Sequence, residues 1–159
     1  MSVRGEVAGV RLRPTICEAV EGAAAGLDYT GVRALRVLLH AGVSAYWPLI
    51  TAAPAKHVRA YEATVHTLSA RWGLRTSCAN DPIAAAAYQE MDTEVGAFLK
   101  LCAARSATQW IEPVEAIAAY VVSLVRGAVL RWLADGNDET MLVVMDDLVC
   151  CLATKAVEL

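Results

Sequence analysis

The strongest constraint in this chain of 159 residues lies in its last third, where two helical stretches are apolar over far more than one face. The first runs from Pro113 to Ala134 and the second from Met141 to Ala153, with the polar link Asp135-Gly136-Asn137-Asp138 between them. At about 100° per residue, apolar side chains on the first sweep roughly 220°, from Tyr120 round to Leu133. On the second they sweep roughly 200°, from Cys151 round to Ala153. A helix resting on one core needs a stripe of only ~100°. Two adjacent helices with twice that width require a second partner, and the economical partner is another copy of the same pair.

The composition agrees with surplus buried surface. Hydrophobic residues make up 57% of the chain and charged residues 19%, against about 45–50% apolar in ordinary soluble domains. An interface or an internal cavity absorbs such a surplus. Neither run reaches the ~18 uninterrupted apolar residues of a membrane span: Arg126 and Arg131 interrupt the first, and Asp146-Asp147 divides the second. Met1-Ser-Val-Arg-Gly-Glu6 has no apolar leader segment, so the expectation is a cytoplasmic chain without membrane contact. A net charge of −3 argues against nucleic-acid binding by this chain alone, because phosphate neutralisation needs clustered Lys and Arg. The five cysteines (Cys17, Cys78, Cys102, Cys150 and Cys151) form no CxxC pair, and with three histidines they give no zinc spacing. Free, mostly buried thiols are expected, with no metal and no cofactor.

The chain reads all-α, one domain over residues 14–159 behind an irregular lead-in, 1–13. Pro14 opens a first helix that Gly26 ends near Ala25. Thr30 is placed to cap a second, through Leu35, Leu38, Leu39 and Tyr46 to about Ile50, with Pro48 ending or kinking it. Pro54 opens a third, through His57 and Tyr61 to Trp72, stopped by Gly73. A loop over Ser77–Pro82, capped by Asp81, leads to a fourth from Ile83 to about Ala107. Glu112-Pro113 starts the long penultimate helix, Gly136 ends it in a left-handed cap, and Asn137 or Asp138 caps the last.

Three stretches in this order resemble the C-terminal, ligand-sensing and dimerising domain of TetR-family transcriptional regulators. They are Val121–Gly136, whose Arg131-Trp-Leu-Ala-Asp-Gly136 is similar to a common family ending, then Ala45-Tyr46-Trp47 with Ala53-Pro54, and Arg59-Ala-Tyr-Glu-Ala-Thr64. The likeness spans about residues 14–157. Residues 1–30 contain no counterpart of the family's helix-turn-helix, with its Gly-Val-Ser and Thr-Leu-Tyr runs. The resemblance therefore implies a TetR-like helical bundle acting as the effector-sensing half of a regulator, of the repressor type. DNA contact would come only through a helix-turn-helix absent from this chain.

The resemblance also implies an intersubunit four-helix bundle made by the last two helices of each subunit. Its candidate residues are Ile117, Tyr120, Val121, Leu124, Val125, Ala128 and Trp132 on the first, and Met141, Val144, Met145, Leu148, Cys151 and Leu152 on the second. Some of these must fill the subunit's own core, since one face cannot use a 200° arc. Ser123 and Gly127 are small enough for close helix approach. The implied ligand is small and apolar or aromatic, in a pocket among the middle helices. Tyr46, Trp47, His57, Tyr61, Tyr88, Met91, Phe98 and Trp110 are its candidate lining, as flat apolar bodies with a few polar tips.

His57 and Tyr61 are four apart on one helix face, the spacing of an acid–base pair, but no nucleophile or third orienting group accompanies them. No catalytic residue and no enzyme is expected. A small α-helical enzyme at that pair, and a dimerisation or antagonist module without a ligand, remain the alternatives. Glu90, Asp92 and Glu94 read as a solvated face.

Overall fold

The computed structural model describes residues 13–73 and 81–159. Among them are six helices: α1 (Pro14–Ala25), α2 (Val32–Thr51), α3 (Pro54–Gly73), α4 (Pro82–Ser106), α5 (Val114–Asp135) and α6 (Asp138–Ala153). Two short strands, β1 (Thr108–Trp110) and β2 (Ala156–Glu158), complete the chain. The all-α expectation describes the fold, with this small addition. The expected lead-in over 1–12, and the loop from Ser77 to Asn80 with Cys78, lie outside the described residues.

Local chemistry sets most of the helix ends. Pro14 sits in the first turn of α1, where its missing N–H costs nothing. The Asp81 carboxylate accepts from the Ile83 and Ala84 N–H groups at 3.0 and 2.8 Å and so caps α4. Gly136 closes α5 at φ +63, and the Asn137 side chain accepts from Thr140 N–H at 2.9 Å to open α6. Pro48 does not stop α2, which continues to Thr51.

The start of α2 departs from the sequence expectation. Thr30 does not cap it; the cap position belongs to Gly31, with φ 87 and ψ −168. Its N–H donates to the Ser106 carbonyl at 2.6 Å, and the Val32 N–H donates to the Glu158 carboxylate at 3.4 Å. The cap is thus supplied by residues more than seventy positions away. Glu158 belongs to β2, which pairs antiparallel with β1 in the register Thr108–Glu158, Gln109–Val157 and Trp110–Ala156. Ala107, left-handed at φ 54, turns the chain from α4 into β1. The Ser106 hydroxyl, fully buried, bonds the Cys102 carbonyl and the Thr108 hydroxyl, both at 2.8 Å. This clip fastens the C-terminus across the ends of α2 and α4.

The core runs through the middle of the bundle. Leu35, Leu38 and Leu39 of α2 meet Leu99 and Cys102 of α4, Ile117 of α5, and Met141, Leu148 and Leu152 of α6. Gly42 permits the α2–α4 approach, because a Cβ there would overlap the Phe98 ring. By contrast, α3 contributes no buried residue.

The five-cysteine expectation is corrected in part. Cys102 is buried, and burial pushes its thiol far above the usual range, but Cys17 and Cys151 are half-exposed and Cys150 is exposed. All four are free.

Gly31 lies in a backbone region that is essentially restricted to glycine, where other residues cost about 1–3 kcal/mol. Gly31→Ala should lower stability in urea unfolding by that amount, about 1–3 kcal/mol. An added Cβ would also overlap the Glu158 carboxylate, a flexible side-chain end, but adding Glu158→Ala should not restore stability, because the strain resides in the backbone. A full rescue by the second substitution would refute this account.

Candidate effector cavity

Helix α3 faces the bundle with alanine and threonine. Ala60, Ala63, Thr64 and Thr67 line its inner side, Ala53 lies just before it, and Ala84 and Ala87 of α4 are lining residues too. The Thr64 and Thr67 hydroxyls are spent on their own helix, bonding the Ala60 and Ala63 carbonyls at 3.0 and 2.9 Å. What they present inward is therefore mostly methyl. These side chains are too short to reach the opposite wall, so a cavity of about 630 Å³ remains under α3. That volume falls within the ~300–1,000 Å³ range of small-molecule sites.

The opposite wall is apolar and comes chiefly from the C-terminal helices. Val122, Val125 and Val129 of α5 and Met145, Leu148 and Leu152 of α6 form it. Ile16, Val43, Val95 and Phe98 extend it.

Five of the eight pocket candidates line this cavity: Tyr46, His57, Tyr61, Met91 and Phe98. Three do not. Trp47 packs edge-on against Trp132, with ring centroids 5.4 Å apart. Trp110 lies on β1 and donates its indole N–H to the Leu99 carbonyl at 3.1 Å. Tyr88 stands outside the lining but lies against Arg126, whose guanidinium carbon is 5.1 Å from its ring centroid. Glu90 is exposed, as a solvated face requires, though it also borders the cavity, whereas Glu94 is half-buried in the lining and pairs with Arg13 at 3.0 Å.

The polar groups are few and specific. Burial raises the Tyr46 hydroxyl above its ordinary pKa, and raises that of Tyr61 as well. The Tyr61 hydroxyl donates a short hydrogen bond to the Arg126 carbonyl, tying α3 to α5. His57 is shifted below its ordinary 6.5, first by burial and then by the nearby cations Lys56, Arg13 and Arg126. With Tyr61 committed to a backbone carbonyl, the two do not form an acid–base couple. Among the described residues, no three of His, Cys, Asp and Glu converge at metal-binding distance.

Sequence reasoning missed Arg126. It sits on α5 between Val122, one turn earlier, and Val129, nearly one turn later, and both valines are buried. An arginine on that phase of the wheel points inward, and this was the available signal.

The dimer-face candidates divide. Ile117, Val121, Ala128, Met141, Met145, Leu148 and Leu152 are buried in the subunit's own core. They cannot also face a partner. Trp132 turns inward onto Trp47 and donates to Asp138 at 2.8 Å; Leu124, Val125 and Val144 are half-buried against the core, Val125 on the cavity side. Tyr120 and Cys151 meet at the outer edge, the hydroxyl 3.6 Å from the sulfur. The outward face carries residues the sequence reading passed over: Leu130, 52% exposed, and Leu142 and Val143, each 61% exposed. Ala116, Ser123 and Gly127 share that side of α5 with Tyr120 and Leu130. Helix α5 is also long and apolar enough to cross a membrane by length and composition, with mean hydropathy 1.5 and one third of the span buried.

The His57 shift has a consequence for stability. The unfolded chain binds a proton more readily than the folded one, so stability falls as the pH drops below about 6.5. Nuclear magnetic resonance should place the His57 titration below that value, and His57→Gln should remove its share of the acid sensitivity. An imidazole titrating at or above the ordinary value would contradict the cationic, partly dry setting. As to kinship, no protein-family model, curated protein or solved structure matches this chain.

Proposed function

We propose that this chain is the effector-sensing and dimerising domain of a TetR-like transcriptional regulator, working in the cytoplasm. The observation that carries the reading is the 630 Å³ cavity, apolar and tyrosine-lined, held inside a single helical domain. A dimerisation or antagonist module has no use for such a space, and the cavity weighs against that alternative. The enzyme alternative lacks support because Tyr61, half of its only candidate pair, is hydrogen-bonded to a backbone carbonyl.

The sensing mechanism follows from a shared wall. Val125 and Val129 of α5 and Met145 and Leu148 of α6 line the cavity, while Tyr120, Leu130, Leu142 and Val143 of the same helices face outward. A ligand that wedges against the inner side shifts the outer side. If two copies pair through that outer side, the ligand alters their relative orientation, and with it the spacing of DNA-reading domains borne upstream. A coupling of ~1–3 kcal/mol is enough for such a switch. A two-fold dimer also suits the symmetry of palindromic operators.

Two sets of variants separate the parts of this proposal. Light scattering after size exclusion should find a dimer at micromolar concentration. Gly127→Arg and Val143→Glu, on the outward face, should each weaken it, while Ala60→Trp, which fills the cavity, should leave the dimer intact and abolish binding of apolar probes. A wild-type monomer would sink the dimer claim. Probe binding unaffected by Ala60→Trp would mean that the cavity is not the site.

A further inference from the structure

The cavity's charges nearly cancel, and the remainder points to the chemistry of its occupant. Arg13 is neutralised by Glu94 at 3.0 Å. Lys56 and Glu90, both exposed, add one charge of each sign to the lining. His57 is biased toward its neutral form. What is left is Arg126, one positive charge on the otherwise apolar wall of α5.

Arg126 is held but not satisfied. Its guanidinium carbon lies 4.5 Å from the Tyr61 ring centroid and 5.1 Å from that of Tyr88, two cation–π contacts that fix its position. Its Nη1 reaches only the Met91 thioether, a weak acceptor, at 3.6 Å. Its Nε is buried and has no hydrogen-bond partner. Among the described residues no carboxylate pairs with it. A buried donor on a charged group is costly to leave unmade, and the natural complement of a guanidinium is a planar oxyanion that takes two N–H bonds at once.

We infer that the effector is an amphiphilic monocarboxylate, its apolar body in the valine- and methionine-lined wall and its carboxylate on Arg126. This deepens the sensing role proposed above and rests on it. A single uncompensated charge matches a monoanion better than a phosphate dianion. Tyr61 makes the arrangement responsive to occupancy. Its hydroxyl bonds the Arg126 carbonyl while its ring carries the Arg126 guanidinium, so a carboxylate drawing on that side chain pulls on both α3 and α5.

Matched probes test this without knowledge of the natural ligand. Calorimetric titration of the whole chain with decanoate and with decan-1-ol, at neutral pH, compares one apolar body with and without the charge. Decanoate should bind roughly tenfold tighter or better, the worth of a hydrogen-bonded charge, and added salt should narrow the gap. The Arg126 Nε–H resonance should shift on addition of decanoate and not of decanol, a readout that needs no variant. Arg126→Gln should abolish the preference for decanoate over decanol, with Arg126→Lys retaining part of it. Equal binding of the two probes, or a stronger response to decyltrimethylammonium, would overturn the carboxylate assignment while leaving the sensing cavity in place. Binding of no probe at all would overturn both.

Discussion

The fold depends on one failure of packing. Helix α3 spans 20 residues without burying one of them, and apart from Lys56, His57 and Tyr61 the side it turns to the bundle carries alanine and threonine. Protein interiors are close-packed, and a helix that brings little bulk to the contact leaves space behind it. At ~24 cal/mol per Å³ of dry cavity, a sealed void of this size would equal a typical stability margin of about 5–15 kcal/mol. Lining residues such as Lys56 and Glu90 are exposed, so the space is accessible to solvent and not a sealed void. The rest of the domain is dense: α2 is buried through Leu35, Leu38 and Leu39, and the β1–β2 clip fastens the chain end across α2 and α4.

The same arrangement explains why α5 and α6 are apolar over so wide an arc. One sector of each belongs to the core, through Ile117 and Met141. A second borders the cavity, through Val125 and Leu148, and a third faces outward at Leu130 and Leu142. Surplus amphipathicity is thus divided among three environments, and the cavity absorbs a share that a simple core-plus-partner scheme would assign to an interface. Helices with three such sectors connect the cavity to the outer surface without any intermediate element. Displacement at one sector is displacement at all, because a helix moves as a nearly rigid rod.

Legibility from sequence followed the range of the forces involved. Pro14, Asp81, Gly136 and Asn137 act on their own first or last turn, and reading them locally placed the helix ends. The α2 cap was misread because its chemistry is non-local. Thr30 has the right side chain, but the Val32 N–H is met by Glu158, and the special backbone belongs to Gly31. The β1–β2 clip was invisible for a similar reason, three-residue strands being too short for alternation to register. On α5 and α6 a helical wheel gave the width of the apolar arc but not its heading, so seven core residues were placed on an interface. Among the aromatics, composition told body from tip but not address. Trp47 and Trp110 found partners in Trp132 and the Leu99 carbonyl, whereas Tyr46 and Tyr61 were left beside open space.

Arg126 shows how a charge in an apolar run is easily misassigned. Read along the chain, it breaks a hydrophobic stretch and argues only against a membrane span. Read around the helix, it stands on the buried side, and the surrounding residues are arranged to keep it there. Tyr61 and Tyr88 supply ring faces, the cheapest way to hold a cation where water is scarce, and neither supplies a counter-charge. A carboxylate partner from the chain would have given a closed, silent ion pair of the kind Arg13 makes with Glu94. Aromatic support leaves the guanidinium's charge unspent, so in the sensing role proposed above the apolar wall would supply affinity and one cation would decide which apolar molecule is preferred.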